Sequence, residues 1–262
     1  MLTSTQNPKI KHVALLQSKT GERRKSGEFV VEGVREIGHC MRHGYEVVSL
    51  FVCEEIMQPS DDASMLLSNL PEPLIYTVSK EVYAKMAYRG GTEGAIAVFR
   101  SQQKTLDDLR LSESPLIIVL ESVEKPGNLG AVLRTADAAK ADAVIVCDPL
   151  TDLYNPNLIR SSIGAIFTVP CVACSSEECI AYLKKHGIQI LTAQLQDSEL
   201  YYDTDMTVPT AIVMGTESTG LTDQWRQVAD RHIRIPMLGS LDSLNVSVST
   251  AILTFEAVRQ RG

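Results

Sequence analysis

After residue 114 the chain repeats one pattern: a short run that is apolar throughout, then a longer stretch with apolar residues at helical spacing. Runs such as LIIVL (116–120) and AVIVC (143–147) have no polar face, so each must be covered on both sides. Strands of that kind, separated by helices, build mostly parallel sheets with helices on both faces. The spacing predicts strands over 116–120, 143–147, 167–169, 188–191, 211–214 and 232–235. It predicts helices over 129–140, 156–163, 177–185, 222–228 and 244–259. The expected fold class is therefore α/β.

Residues 1–100 read as a smaller α/β domain of their own. Asn7-Pro8 opens an amphipathic helix, with Asn7 as N-cap and Pro8 at the first helical position. Strands are expected over 28–31, 47–52, 74–78 and 95–99, and helices over 34–43, 63–70 and 80–87. Residues 101–114, SQQKTLDDLRLSES, are polar and charged and lack a strong apolar stripe, which marks a linker. The expected organisation is a domain over 1–100, a linker over 101–114 and a second domain over 115–262.

Composition narrows the function classes. No apolar run approaches the ~18 residues of a membrane span, and the N-terminus MLTSTQNPKIKH lacks an apolar secretion segment. Six cysteines in 262 residues do not make a disulfide scaffold. A cytoplasmic protein without a membrane partner is expected. The net charge of −7 is unevenly placed. Residues 1–44 hold eight Lys or Arg and four Glu, leaving 17 basic and 28 acidic residues for the remainder. That asymmetry suggests that the front of the chain meets a polyanion, although a solvated basic face explains charge alone equally well.

Ligands of open α/β sheets bind beyond the carboxyl ends of the strands, and three such ends carry unusual residues. The first, LESVEKPGNLGAVLRTADA, turns at Pro126-Gly127-Asn128 and enters a helix holding Gly130 and Arg134. It lacks the G-x-G-x-x-G spacing of a dinucleotide loop, and Arg134 alone could be an ordinary exposed helical arginine. The second, TAIVMGTESTGLTDQW, sets Gly215 and Gly220 on either side of Glu217, ahead of a helix that Thr222 could cap. By itself it could be a plain tight turn. The third, IRIPMLGSLDSLNVSVSTAILTFEAVRQRG, runs from Ile235-Pro236-Met237 through Ser243 and Asn245 into the last helix. Its NVSVS segment alternates like a strand, yet Leu244, Val248, Ile252 and Phe255 have helical spacing and are expected to give the last helix its core face.

Together these elements resemble the signature motifs of the SpoU/TrmH family of RNA ribose 2′-O-methyltransferases, within the SPOUT superfamily. Asn128, Gly130 and Arg134 match its N-x-G-x-x-x-R motif; Gly215, Glu217, Gly220 and Leu221 match its G-x-E-x-x-G-L motif. Ile235-Pro236-Met237, Gly239 and Ser243 through Val248 match the third. Ser218 and Ser249 depart from the commoner glycine and alanine, both as small-for-small changes. The resemblance covers roughly residues 115–262. The segments QNPKIK, FVVEGVREI and TEGAIAVF resemble the substrate-binding domain that often precedes this catalytic domain.

The resemblance implies methyl transfer from S-adenosylmethionine to a ribose hydroxyl of RNA, a deep trefoil knot, and a homodimer with its active site at the subunit interface. It implies a catalytic role for Arg134, with Asn128, Glu217, Ser243 and Asn245 shaping the pocket. Cofactor contacts are expected from Gly215, Ile235, Met237 and Leu244, with Thr192 near the preceding strand end. Displacement at a sulfonium is in-line and needs no metal, so the demand on the protein is alignment. Arginine stays protonated in proteins, which casts Arg134 as a clamp for a phosphate beside the reacting ribose rather than as a base.

The N-terminal domain points to ribosomal RNA, with transfer RNA as the alternative. A non-catalytic RNA-binding protein of the same fold would have been favoured by loss of Arg134 or of the third motif, and both are intact. A nicotinamide-dependent oxidoreductase would need a proper glycine fingerprint, and only Asp148 stands at a suitable distance for its acid. Cys171-x-x-Cys174, with Cys179 beyond, lacks a second pair or a neighbouring histidine, so its spacing specifies no metal site. Tyr83 and Tyr88 flank Lys85 and could stack on bases, although core or helix-surface positions explain them as well.

Overall fold

The computed structural model describes residues 1–88, 93–216 and 218–262, which divide into two compact units. The first comprises Met1–Gln103 with Asp152–Thr168, and the second Lys104–Thr151 with Val169–Gly262. Among the described residues no helix is long and apolar enough to cross a membrane.

The chain begins with helices α1 (Pro8–Ser18) and α2 (Thr20–Ser26), then strand β1 (Glu28–Glu32), α3 (Val34–Arg42) and β2 (Val47–Val52). Next come α4 (Asp61–Ser68), β3 (Ile75–Thr77), α5 (Lys80–Met86) and β4 (Ala95–Arg100). The Asn7 side chain accepts the Lys9 N–H and Pro8 starts the helix, as its missing donor allows. The four strands form one sheet in the order β1-β4-β2-β3, antiparallel except for the β2–β3 pair. Alternation along β1 sends Val30 to a core with Ile10, Val13, Phe51, Val82 and Ile96. Phe29, beside it on the strand, stacks against Tyr154 at 4.3 Å between ring centroids and against Phe167 at 5.9 Å.

Strand β5 (Leu116–Glu121), helix α6 (Pro126–Ala138) and β6 (Ala143–Cys147) open the second unit. The following helices, α7 (Pro156–Ser161) and α8 (Ala165–Thr168), belong to the first. The expected strand over 167–169 is thus a short helix, and the strand begins later, as β7 (Cys171–Cys174). Phe167 is consumed by packing on Phe29, and Pro170, without an N–H, separates helix from strand.

The second unit is completed by α9 (Ser176–Lys185), β8 (Gln189–Ala193), β9 (Glu199–Leu200), β10 (Thr210–Met214), α10 (Asp223–Val228), β11 (Arg231–Arg234) and α11 (Val246–Arg261). Its seven strands lie in the order β7-β6-β5-β10-β8-β11-β9, and every pairing is parallel. This matches the two-sided apolar strands: β5, β6 and β10 are buried at every position. NVSVS is helical from Val246, with Asn245 as N-cap, but the buried face at helical period is Val246, Thr250, Leu253 and Ala257. The face expected to be core is turned outward, with Leu244, Val248 and Phe255 exposed. The polar stretch over 101–114 is not wholly free of the fold; Leu106, Leu109 and Leu111 pack on the core around Ile117, Val119 and Trp225.

Candidate active site

The three marked strand ends meet at one edge of the second unit. Asn245 caps α11 by accepting the Ser247 N–H at 3.0 Å and the Ser247 hydroxyl at 2.6 Å. Its own amide donates to Asn128 Oδ1 at 3.2 Å, joining the first turn of α6 to the start of α11 across 117 residues of sequence. A hollow beside this contact is lined by Val123, Lys125, Asn128, Gly215, Thr216 and Val246.

Gly215 is held by geometry rather than by flexibility. A Cβ built there would lie 2.3 Å from Gly220 C and 2.4 Å from Leu221 N. The loop folds back on itself, Thr216 and Gly220 exchanging backbone hydrogen bonds at 3.1 and 3.2 Å, with Gly220 at φ +68°. Glu217, the acid expected at its tip, lies outside the described residues.

An adjacent cleft is lined by Gln194, Met214, Ile235, Met237, Asp242, Ser243 and Leu244. The walls are mostly apolar with a few polar groups, the composition of a small-molecule site. The Gln194 Oε1 atom is buried and has no hydrogen-bond partner among the described residues. An orphaned acceptor costs about 1–3 kcal/mol unless a ligand supplies a donor. These residues fit an adenosyl group: apolar surface for a base, backbone of the 233–237 strand end for its edge, and an acceptor awaiting a donor.

Not every expected residue lines this space. The Thr192 hydroxyl is fully buried and shares a 2.6 Å hydrogen bond with His232 Nδ1. The residues that follow it, Ala193 to Leu195, reach the cleft instead. Arg134 is exposed on α6 and makes no hydrogen bond or ion pair among the described residues. Six residues beyond Asn128 it stands about 9 Å further along the axis and about 240° round it, so the two side chains do not share a face.

Sequence reasoning missed Glu121 and Gln194. Glu121 is 2% exposed and ends β5; its carboxylate accepts the Thr222 N–H at 2.9 Å and the Thr222 hydroxyl at 2.7 Å. Thr222 therefore serves α10 as an anchored N-cap whose side chain bonds to β5 rather than to its own helix. An acid closing an otherwise apolar strand was the available signal. Glu121→Gln places an amide N–H₂ against these donors and should lower stability by about 1–3 kcal/mol in denaturant melts. A shift smaller than ~0.5 kcal/mol would show that the loop has no such anchor.

The front of the chain also sorts its basic residues. Lys9, Lys11, Lys19, Arg24 and Lys25 are exposed. Arg23, another of the eight basic residues in the 1–44 stretch, is 5% exposed: its guanidinium bonds Asp152 Oδ2 at 2.6 Å, Thr20 Oγ1 at 2.9 Å and the Leu16 carbonyl. A buried arginine must be paired, so Arg23 is a structural residue of the first unit and offers nothing to a polyanion.

Comparison with known proteins agrees with this geometry. Residues 115–255 match the SpoU rRNA Methylase family, and residues 7–97 match the MRM3-like substrate binding domain. The chain is 30% identical over 98% of its length, and 92% of the relative's, to a 23S rRNA (uridine(2479)-2′-O)-methyltransferase of Streptomyces viridochromogenes. Among solved structures it is similar to an RNA 2′-O ribose methyltransferase, with TM-score 0.86, 39% identity and coverage of 99% and 98% of the two chains. It is also similar to the SpoU methyltransferase AviRb of Streptomyces viridochromogenes in complex with AdoMet, with TM-score 0.88, 28% identity and 98% of both chains covered. With a family match over residues 115–255 and a relative 30% identical across 98% of the chain, this chain belongs to the SpoU rRNA methylase family.

Proposed function

We propose that this enzyme transfers a methyl group from S-adenosylmethionine to a ribose 2′-hydroxyl of ribosomal RNA. The observation that carries the reading is the Asn128–Asn245 hydrogen bond, which sets the first and third motifs side by side next to the apolar cleft. When bound, the cofactor supplies an electrophilic methyl on a sulfonium. The protein's part is placement: Ile235, Met237, Leu244 and the Gln194 acceptor hold the cofactor, and Gly215 and Thr216 form the neighbouring wall. Ser243 and Asn245 shape the ribose side. Arg134 holds an RNA phosphate with its two-pronged guanidinium and stabilises the developing alkoxide.

Arg134 points away from the Asn128 face, which supports a homodimeric enzyme whose active site is completed at the subunit interface. Val248 and Phe255 are 46% exposed on one face of α11, and Leu238 and Leu241 are more exposed still, as an apolar contact surface requires. The reading includes a trefoil knot in the second unit; the late strand β10 between β5 and β8, and the packing of α11 on α6, support it. Residues 1–100 bind RNA, residues 115–262 carry out the transfer, and the enzyme works in the cytoplasm.

Incubating the protein with ribosomal RNA and methyl-labelled cofactor, then mapping the label, tests this directly. Label on a ribose 2′-oxygen is expected; label on a base, or none on ribosomal RNA, would overturn it. The exposed basic residues give a second test. Lys9, Lys11, Arg24 and Lys25 changed together to alanine should weaken RNA binding and flatten the salt dependence by ~0.7–0.9 in log–log slope per lost phosphate contact. Deleting the domain at residue 100 would be a poorer experiment, because it strips Tyr154 and Phe167 of their partner Phe29.

A further inference from the structure

The structure brings together three cysteines that the sequence keeps apart. Cys147 ends β6, Cys174 ends β7 and Cys179 lies in the second turn of α9, yet their sulfur atoms all lie within 4.8 Å of one another. We propose that Cys147, Cys174 and Cys179 form a zinc site of three thiolates that ties β6, β7 and α9 together.

The donor set is the first argument. Sulfur ligands select soft or borderline metals such as zinc over the hard cations magnesium and calcium. With Zn–S bonds of about 2.3 Å, tetrahedral ligands sit about 3.8 Å apart, so the three sulfurs need to close by no more than about 1 Å. Charge is the second. Three thiolates without a counter-ion could not stay in the core, but a divalent ion reduces their charge to −1. The N-terminal turn of α9 adds its own partial positive charge beside Cys179.

The positions are also held independently of any ion. Cys147 and Cys174 are in register on adjacent parallel strands. The first turn of α9 is fixed by a reciprocal cap between Ser175 and Glu178. Asp148, directly after Cys147, accepts the Ser176 hydroxyl at 2.6 Å, and that hydroxyl also accepts the Trp225 indole N–H at 3.0 Å. Such surroundings orient ligands before a metal arrives. Cys147 and Cys179 are fully buried, whereas Cys174 is half-buried and gives an entry path and room for a water as fourth ligand. On binding, each thiol surrenders its proton to solvent as its sulfur takes the metal. The site lies among core residues, so its role is structural and separate from methyl transfer.

The test uses the full-length reduced protein. Titration with cadmium, the spectroscopic stand-in, should develop a sulfur-to-metal charge-transfer absorption that saturates at one equivalent, and zinc bound beforehand should shift that titration to higher cadmium concentration. Cys174→Ser, the least buried substitution, should weaken binding by roughly tenfold or more, since even second-shell losses cost that much. Cys171→Ser, outside the trio, should leave it unchanged. In the wild type, zinc should suppress alkylation of Cys174 and raise the Tm, readouts that need no variant to fold. No saturable absorption, an unaltered signal in Cys174→Ser, or alkylation of Cys174 indifferent to zinc would overturn the proposal.

Discussion

Replacing Arg134 by alanine is expected to slow methyl transfer by roughly 10²–10³-fold, the effect of removing one preorganised donor worth about 2.7–4 kcal/mol to the transition state. The expectation follows from its setting. Arg134 is exposed on α6 and holds no partner among the described residues, so the fold does not employ its five donors. Stability should therefore change by no more than ~0.5 kcal/mol. Cofactor affinity should also be nearly unchanged, because Arg134 does not line the cleft. Lysine should rescue poorly, since it keeps the charge but loses the planar fork that grips a phosphate at two points. Single-turnover methylation with saturating RNA and cofactor reads the step itself. Wild-type rates for the alanine variant would remove Arg134 from the mechanism.

Gly215→Ala should cost both stability and cofactor binding, through one added methyl. The new Cβ would meet backbone atoms of Gly220 and Leu221 at 2.3–2.4 Å, and backbone cannot rotate aside as a side chain can. Relief requires opening the Thr216–Gly220 bridge, and overpacking of this kind typically costs about 1–3 kcal/mol. The loop continues into Leu221 and the Glu121–Thr222 anchor, so displacement propagates to the start of α10. Calorimetric titration with S-adenosylmethionine, beside a denaturant melt, separates the two effects. A variant with unchanged stability and affinity would mean that the loop yields freely and that glycine there has no steric cause.

Much of the architecture was legible before any coordinates. Strands that are apolar at every position, as in β5, β6 and β10, can only lie inside a sheet covered on both faces, and that property is local to each run. The cap at Asn7 is also local, since its side-chain oxygen bonds an N–H two residues on, whereas the last helix was expected from residue 244 and begins only after Asn245. The three motifs likewise carried their chemistry in residue type and spacing. Other assignments depended on who meets whom. Phe167 looked like part of a strand until its stacking partner Phe29, 138 positions earlier, claimed it for a helix in the other unit. Arg23 looked like its basic neighbours because composition cannot show that Asp152 waits beside it in the folded chain. Tertiary structure alone decided that Asn128 touches Asn245, that Glu121 anchors Thr222, and that Cys147 joins Cys174 and Cys179. Each is a contact between strand or helix ends far apart in sequence, and a parallel sheet sets such contacts by strand order, which no local pattern encodes.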